Sequence, residues 1–217
     1  SIYTPASGTL TTVPGSTVEY NGTNQTIRAF NYLGTLLLSG SGTKTFTNSV
    51  AGASIPGNLT ISGSASAIAV RAFTIGGTVT LDPGATFTAG SFTHLVAGNW
   101  INNGGNFSNI GGTINLNGAA AQTIGGSSDT SFNNLTLSAT GNKLFTVNSV
   151  IEGTLSIPVT SVADLGTSTL NHTAGTLILG GITQAPGTYG STSSLAATQN
   201  DTYFANTGIV TVSSGNF

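Results

Sequence analysis

The sequence predicts an all-β fold, a parallel β-solenoid (β-helix) with coils of about 20 residues and a C-terminal cap. Three observations carry the prediction. A phrase of Gly, small polar, apolar, variable and apolar residues recurs ten times, most clearly as Gly57-Asn58-Leu59-Thr60-Ile61. Its start-to-start spacings of 18, 23, 20, 21, 14, 21, 20, 22 and 33 residues cluster near one value. Between the Gly-Ser, Gly-Gly and Pro-Gly breaks, apolar and polar residues alternate over four or five positions, which is strand periodicity. A β-sandwich of short strands is the alternative; it explains the alternation but not the return of one phrase at about twenty residues.

The 217 residues are expected to form one domain, with 1–16 as an opening cap or the end of a preceding repeat, 17–180 as coils and 181–217 as a terminal cap. The opening stretch holds Pro5, Gly8, Pro14 and Gly15, with Thr9-Leu10-Thr11-Thr12 as a defective copy of the phrase. With its small polar residue as position 0, the phrase then starts at Thr17, Thr35, Asn58, Thr78, Asn99, Thr113, Asn134, Thr154, Thr176 and Ile209. The next residue is apolar in all ten copies, and position +3 is apolar in nine, Asn102 being the exception. Gly precedes position 0 in eight copies, Ser16 and Asn133 being the exceptions. Residues Ala65 to Phe73 offer the only helical candidate, and Ile68, Val70 and Phe73 fit an alternating strand equally well.

A longer similarity lies over the phrase. Val18-Glu19-Tyr20-Asn21-Gly22 followed by Gln25-Thr26-Ile27 matches Ile114-Asn115-Leu116-Asn117-Gly118 followed by Gln122-Thr123-Ile124. Leu36-Leu37-Leu38-Ser39 with Lys44 and Phe46 likewise matches Leu135-Thr136-Leu137-Ser138 with Lys143 and Phe145. A unit of about 97 residues is duplicated, so the two lysines occupy equivalent places by copying. Between Asn99 and Thr113 the spacing falls to 14, too short for a full coil, and the sole tryptophan, Trp100, lies in this break. It is read as a buried aromatic filling an irregular coil, against the alternative of an exposed platform for a sugar. The tail, with Tyr203-Phe204 and Gly208-Ile209-Val210-Thr211-Val212, reads as a cap carrying a last strand, as a solenoid requires to cover its final sheet edge.

If the phrases stack as parallel strands, positions +1 and +3 point inward as aliphatic ladders while 0 and +2 face water. The preceding Gly then marks a corner where a Cβ would clash or φ must be positive. Ten coils at ~4.8 Å would make a rod of roughly 45–50 Å.

Composition narrows the function classes. Charged residues are 5% of the chain and the formal net charge is -2. Only Arg28, Lys44, Arg71 and Lys143 are fixed cations, so no patch neutralises phosphates and nucleic acid is not an expected partner. The absence of Cys and Met suits an extracellular or cell-surface setting, and no apolar run is long enough for membrane insertion as a helix.

Glu19, Asp82, Asp129, Glu152, Asp164 and Asp201 fall at different phases of the phrase. They form no acid/base pair or Ca²⁺ cluster on this register, so no catalytic residue, metal or cofactor is expected. His94 and His172 lie several coils apart without ligand-spaced partners and read as loop or core histidines. The outward positions are the candidate binding face: Asn58 and Thr60, Thr78 and Thr80, Thr113 and Asn115, Asn134 and Thr136. A file of small polar groups on a rigid sheet suits hydrogen bonding to a surface, a glycan or a like subunit. It equally reflects the strand propensity of Thr and the turn propensity of Asn.

Three phrases carry a family resemblance: Asn117-Gly118 with Gln122-Thr123-Ile124-Gly125-Gly126, Phe132-Asn133-Asn134-Leu135-Thr136-Leu137-Ser138, and Ala97-Gly98-Asn99-Trp100-Ile101-Asn102-Asn103-Gly104. They resemble the Gly/Thr/Asn-rich β-strand repeats of large bacterial surface adhesins of the Bacteroidetes or autotransporter-like type. The resemblance implies a non-enzymatic extracellular module, a rigid rod with an adhesive or structural role. A self-assembling fibre subunit, in which few charges would repel a like neighbour, and an ice-binding protein using the hydroxyl file are the alternatives.

Overall fold

The computed structural model describes residues 12–28, 32–46, 53–108 and 110–213, and among them there is no helix. Most of the proposed opening cap, including Pro5, Gly8 and Thr9 to Thr11, lies outside the described residues. The chain winds as a parallel β-solenoid whose coils pass through three sheets, A, B and C. Among the described residues sheet A has nine strands, from Thr17–Tyr20 through Thr35–Leu38, Asn58–Ile61, Val79–Leu81 and Trp100–Asn102 to Phe204–Ala205. On the same count sheet B has five, from Gln25–Ile27 to Asn106–Ser108, and sheet C has twelve. Ser64–Ile68 and Phe73–Ile75 are strands of B and C, so the one helical candidate is resolved in favour of alternation.

The ten phrases do not form one stack. The copies from Thr17 to Asn99 lie on sheet A and those from Thr113 to Ile209 on sheet C. The 14-residue interval is the reason. After Trp100–Asn102 on sheet A the chain makes Asn106–Ser108 on sheet B and reaches sheet C at Thr113, about two thirds of a turn, and the next copies hold that face. Ile209 pairs with Asn171, not with Thr176, and the final interval of 33 is long because Ile182–Thr183, Gly187–Gly190 and Thr198–Gln199 lie within it. Ten phrases are therefore fewer than ten coils. The nine strands of sheet A span about 38 Å at ~4.8 Å per step, shorter than the expected 45–50 Å.

The duplication obeys the same geometry. Val18 and Leu36 on sheet A correspond to Ile114 and Leu135 on sheet C, while Gln25 and Lys44 on sheet B correspond to Gln122 and Lys143 on sheet A. The second copy is the first turned by one face around the rod axis.

Inward residues form continuous ladders: Val18, Leu36, Leu59, Val79, Trp100, Ile124 and Phe145 on sheet A, and His94, Ile114, Leu135, Leu155 and Leu177 on sheet C. Trp100 is wholly buried, with ring centroids 4.6 Å from Phe107 and 5.5 Å from Phe132, so the platform reading is overturned. These aromatics fill the level at which the phrase changes face, where sheet B ends. Beyond it the corner between the second and third faces becomes a bent strand, Ser149–Ile157 and again Asn171–Leu179, with a register shift between Ile151 and Thr154. At the C-terminal end, Ile182–Thr183 and Gly187–Gly190 pair antiparallel with the last parallel strands, and Thr198–Gln199 covers the latter. Short strands running against the stack are how a solenoid end is closed to continuation.

The Gly before each phrase is required by stacking. None of Gly34, Gly57, Gly77, Gly98, Gly112, Gly153, Gly175 and Gly208 has a positive φ. A Cβ at Gly57 would instead fall inside the Gly34 carbonyl oxygen, and one at Gly98 inside the Gly77 carbonyl carbon. From Gly34 through Gly57 and Gly77 to Gly98 successive glycines lie over one another, so these corners have no room for a side chain, while Ser16 and Asn133 hold the position in two other coils.

Candidate functional site

The eight outward residues lie on two faces. Asn58, Thr60, Thr78 and Thr80 belong to sheet A or its immediate lead-in, with Thr60 beside Thr80 in register. Thr113, Asn115, Asn134 and Thr136 belong to sheet C, with Thr113 beside Asn134 and Asn115 beside Thr136. The expected single file is thus two short files around a corner of the rod, because the phrase changes sheet between Asn99 and Thr113. Each file is interrupted by apolar neighbours, Leu37 and Ile101 on sheet A and Leu95 and Ile178 on sheet C.

Position 0 has a second duty that its sequence pattern did not disclose. The Asn58 Oδ1 accepts a hydrogen bond from the Thr78 main-chain N–H at 2.8 Å. Thr78 Oγ1 accepts from the Asn99 N–H at 3.2 Å, and Asn99 Oδ1 from the Thr123 N–H at 2.8 Å. On sheet C the Asn134 Oδ1 accepts from the Thr154 N–H at 2.9 Å. Each of these four residues caps the start of a strand in the next coil, satisfying a donor that the turn leaves unpaired. Asn115 Oδ1 takes the Ser138 hydroxyl at 2.5 Å. Thr60, Thr80, Asn115 and Thr136 are the partly exposed members of the eight that point outward from mid-strand, and three of the four carry hydroxyls.

Both lysines, both histidines and Asp164 are turned inward, whereas Glu19, Arg28, Asp129, Glu152 and Asp201 are exposed. Lys44 and Lys143 are fully shielded from solvent. The Lys44 ammonium donates to the carbonyls of Gly22, Thr23 (2.9 Å) and Ser41 (3.1 Å) and to Gln25 Oε1 (3.0 Å). Lys143 donates to the carbonyls of Gly118 (2.7 Å) and Thr140 (3.4 Å) in the duplicate. Burial lowers the pKa of both amines. Each ties two neighbouring coils through main-chain oxygens at the turn. Replacing Lys44 with Met should cost about 2–3 kcal/mol in denaturant unfolding, because the carbonyls lose their donor inside the fold.

His94 and His172 share one arrangement. Nδ1 of His94 accepts the Phe73 N–H at 3.2 Å and Nε2 faces the Ala89 carbonyl at 2.9 Å. Nδ1 of His172 accepts the Ser149 N–H at 3.2 Å and Nε2 faces the Leu165 carbonyl at 3.1 Å. These partners define a neutral ring protonated on Nε2. Burial pushes both pKa values down, opposed by the carbonyl at Nε2 and, for His172, by the Asp129 charge. The rings pack on aromatics, His94 against Phe73 at 5.2 Å and His172 against Phe145 at 4.7 Å.

Asp164, also buried, accepts from Asn142 Nδ2 (2.9 Å), the Gly166 N–H (3.0 Å) and Asn206 Nδ2 (2.7 Å), joining the last full coil to the cap. Among the described residues no three His, Asp or Glu side chains are grouped to hold a metal ion. Asn102, the polar exception at an inward position, is 3% exposed. Its Oδ1 accepts the N–H groups of Gly104 (3.0 Å) and Gly105 (2.9 Å), and its Nδ2 donates to the Asp129 carbonyl (2.9 Å). It staples two coils at the level where the phrase changes face. Its deviation from the apolar pattern was the available signal.

One inward pair is left without partners. Thr130 and Ser149 are in register and buried, and neither hydroxyl has a hydrogen bond. Thr130→Val and Ser149→Ala should therefore leave stability unchanged or raise it by up to about 1 kcal/mol, read by thermal unfolding.

The fold defines this chain as a parallel β-solenoid. No protein-family model, curated protein or solved structure matches it.

Proposed function

We propose that the chain is a non-enzymatic, extracellular structural or adhesive module, a rigid rod that presents polar faces to a surface, a glycan or a neighbouring subunit. The observation that carries this reading is where its functional groups are spent. Both lysines, both histidines, Asp164 and Asn102 are buried and engaged in joining one coil to the next. A scaffold uses polar chemistry this way, whereas a catalytic site turns it toward substrate. The mid-strand hydroxyls of Thr60 and Thr80 on one face and of Thr136 on another are the groups offered outward.

A fibre formed by parallel continuation of sheet C would have to displace the antiparallel strands Ile182–Thr183 and Gly187–Gly190 at its C-terminal end. Ice binding gains little from two interrupted files in place of one broad array. The adhesive reading is tested by binding of the purified chain to cell surfaces and glycan arrays. Thr60→Lys with Thr80→Lys is compared with Thr136→Lys. Loss of binding from one face supports the reading and locates the contact. Binding that ignores both sets, or turnover of a polysaccharide, would sink it.

A further inference from the structure

The chain contains three Asn-Gly pairs, Asn21-Gly22, Asn103-Gly104 and Asn117-Gly118. Such pairs are chemically fragile, because a Gly nitrogen meets no Cβ obstruction on its way to the preceding side chain. That nitrogen attacks Asn Cγ and forms a new N–C bond, the Cγ–Nδ2 bond breaks, and ammonia leaves carrying the Gly N–H proton. Water then opens the resulting succinimide to Asp or isoaspartate. Isoaspartate adds a carbon to the main chain, which at a solenoid corner would push the next strand out of register.

In all three pairs the Gly N–H is held by a side-chain carboxamide. Gly22 donates to Gln25 Oε1 at 2.7 Å, Gly104 to Asn102 Oδ1 at 3.0 Å and Gly118 to Gln122 Oε1 at 2.9 Å. Each acceptor is itself fastened. Gln25 Oε1 also receives the Lys44 ammonium at 3.0 Å. Asn102 is anchored to the Asp129 carbonyl at 2.9 Å, and Gln122 donates to the carbonyls of Val96 (2.9 Å) and Gly98. The Asn103 amide, the leaving group at its site, donates to Asp82 Oδ1 at 3.1 Å.

Two of these arrangements are copies related by the duplication, but the third is independent. It uses Asn in place of Gln, and its acceptor precedes the Gly instead of following it. We propose that Gln25, Asn102 and Gln122 are chemical locks that hold the Gly nitrogen protonated and away from Asn Cγ, keeping three latent deamidation sites silent. This inference does not depend on the adhesive reading.

The test is site-resolved. Native protein is incubated at mildly alkaline pH, and Asp and isoaspartate at each Asn are quantified by peptide mass spectrometry. Gln122→Met should raise conversion at Asn117 about tenfold, the effect of losing one hydrogen bond from the ground state. Asn21 and Asn103 in the same molecules should be unchanged. Gln25→Met should accelerate Asn21 alone. An unchanged rate at Asn117 in the folded Gln122→Met protein would overturn the proposal. So would a parallel rise at all three sites, the mark of general loosening, or native wild-type protein converting as fast as chain unfolded in denaturant.

Discussion

Gly57→Ala is expected to lower stability by about 3–5 kcal/mol, because the added methyl group meets main chain on its nearest side and no side chain can move aside. Its closest neighbours are the Gly34 carbonyl group and the Leu33 carbonyl oxygen, so relief requires separating two coils. Gly15→Ala is the control. Gly15 has a φ of 81°, and a methyl group added there would find nothing within 4 Å, so only the left-handed backbone penalty applies, about 1–2 kcal/mol. Denaturant midpoints at constant m-value measure both. Equal losses in the two variants would show that conformational freedom, not contact between coils, sets the requirement for Gly before the phrase.

The second large effect is acid sensitivity. Burial holds His94 and His172 below their ordinary pKa, so the folded protein keeps them neutral where the unfolded chain, titrating near ~6.5, takes up protons. Stability from this source is complete above that value and is lost as pH falls below it. The loss reaches up to about 1.4 kcal/mol per histidine for each pH unit while the folded ring stays neutral. Protonation would also point an Nδ1–H at the main-chain N–H of Phe73 or Ser149, leaving two donors facing each other. Urea unfolding at pH 7.5 and at about pH 5 should show a clear drop for the wild type. The drop should shrink in His94→Phe and nearly vanish when His172→Phe is added. A pH response that survives in the double variant would assign it to the carboxylates.

Much of the architecture was legible in the residues. Strand alternation, the twenty-residue return, the inward aliphatic positions and the burial of Trp100 follow from local periodicity and from the need to cover apolar side chains. The candidate site was less legible. Reading Asn58, Thr78 and Asn134 as outward was correct, but their oxygens serve the N–H of a residue about twenty positions later, and the contact exists only once the coils stack. Asn102 shows the same difficulty in reverse. In the sequence it is only the exception to the apolar pattern, and in the folded chain it is the staple between Gly104, Gly105 and the turn at Asp129.

By itself the sequence determined the class of fold, the length of a coil and which side of each strand faces the core, because these depend on spacing along the chain. Only the tertiary structure decided which strands share a sheet. A 14-residue interval is simply a short gap in the sequence, but on a three-faced coil it carries the phrase from sheet A to sheet C. That step divides the polar file between two faces and turns the duplicated unit by one face, while coil stacking on either side of it brings Lys44, Lys143, His94 and His172 onto the main-chain groups of neighbouring coils. The physical reason is that stacking is a contact between residues about one coil apart, and its register is set by the sum of the turns between them.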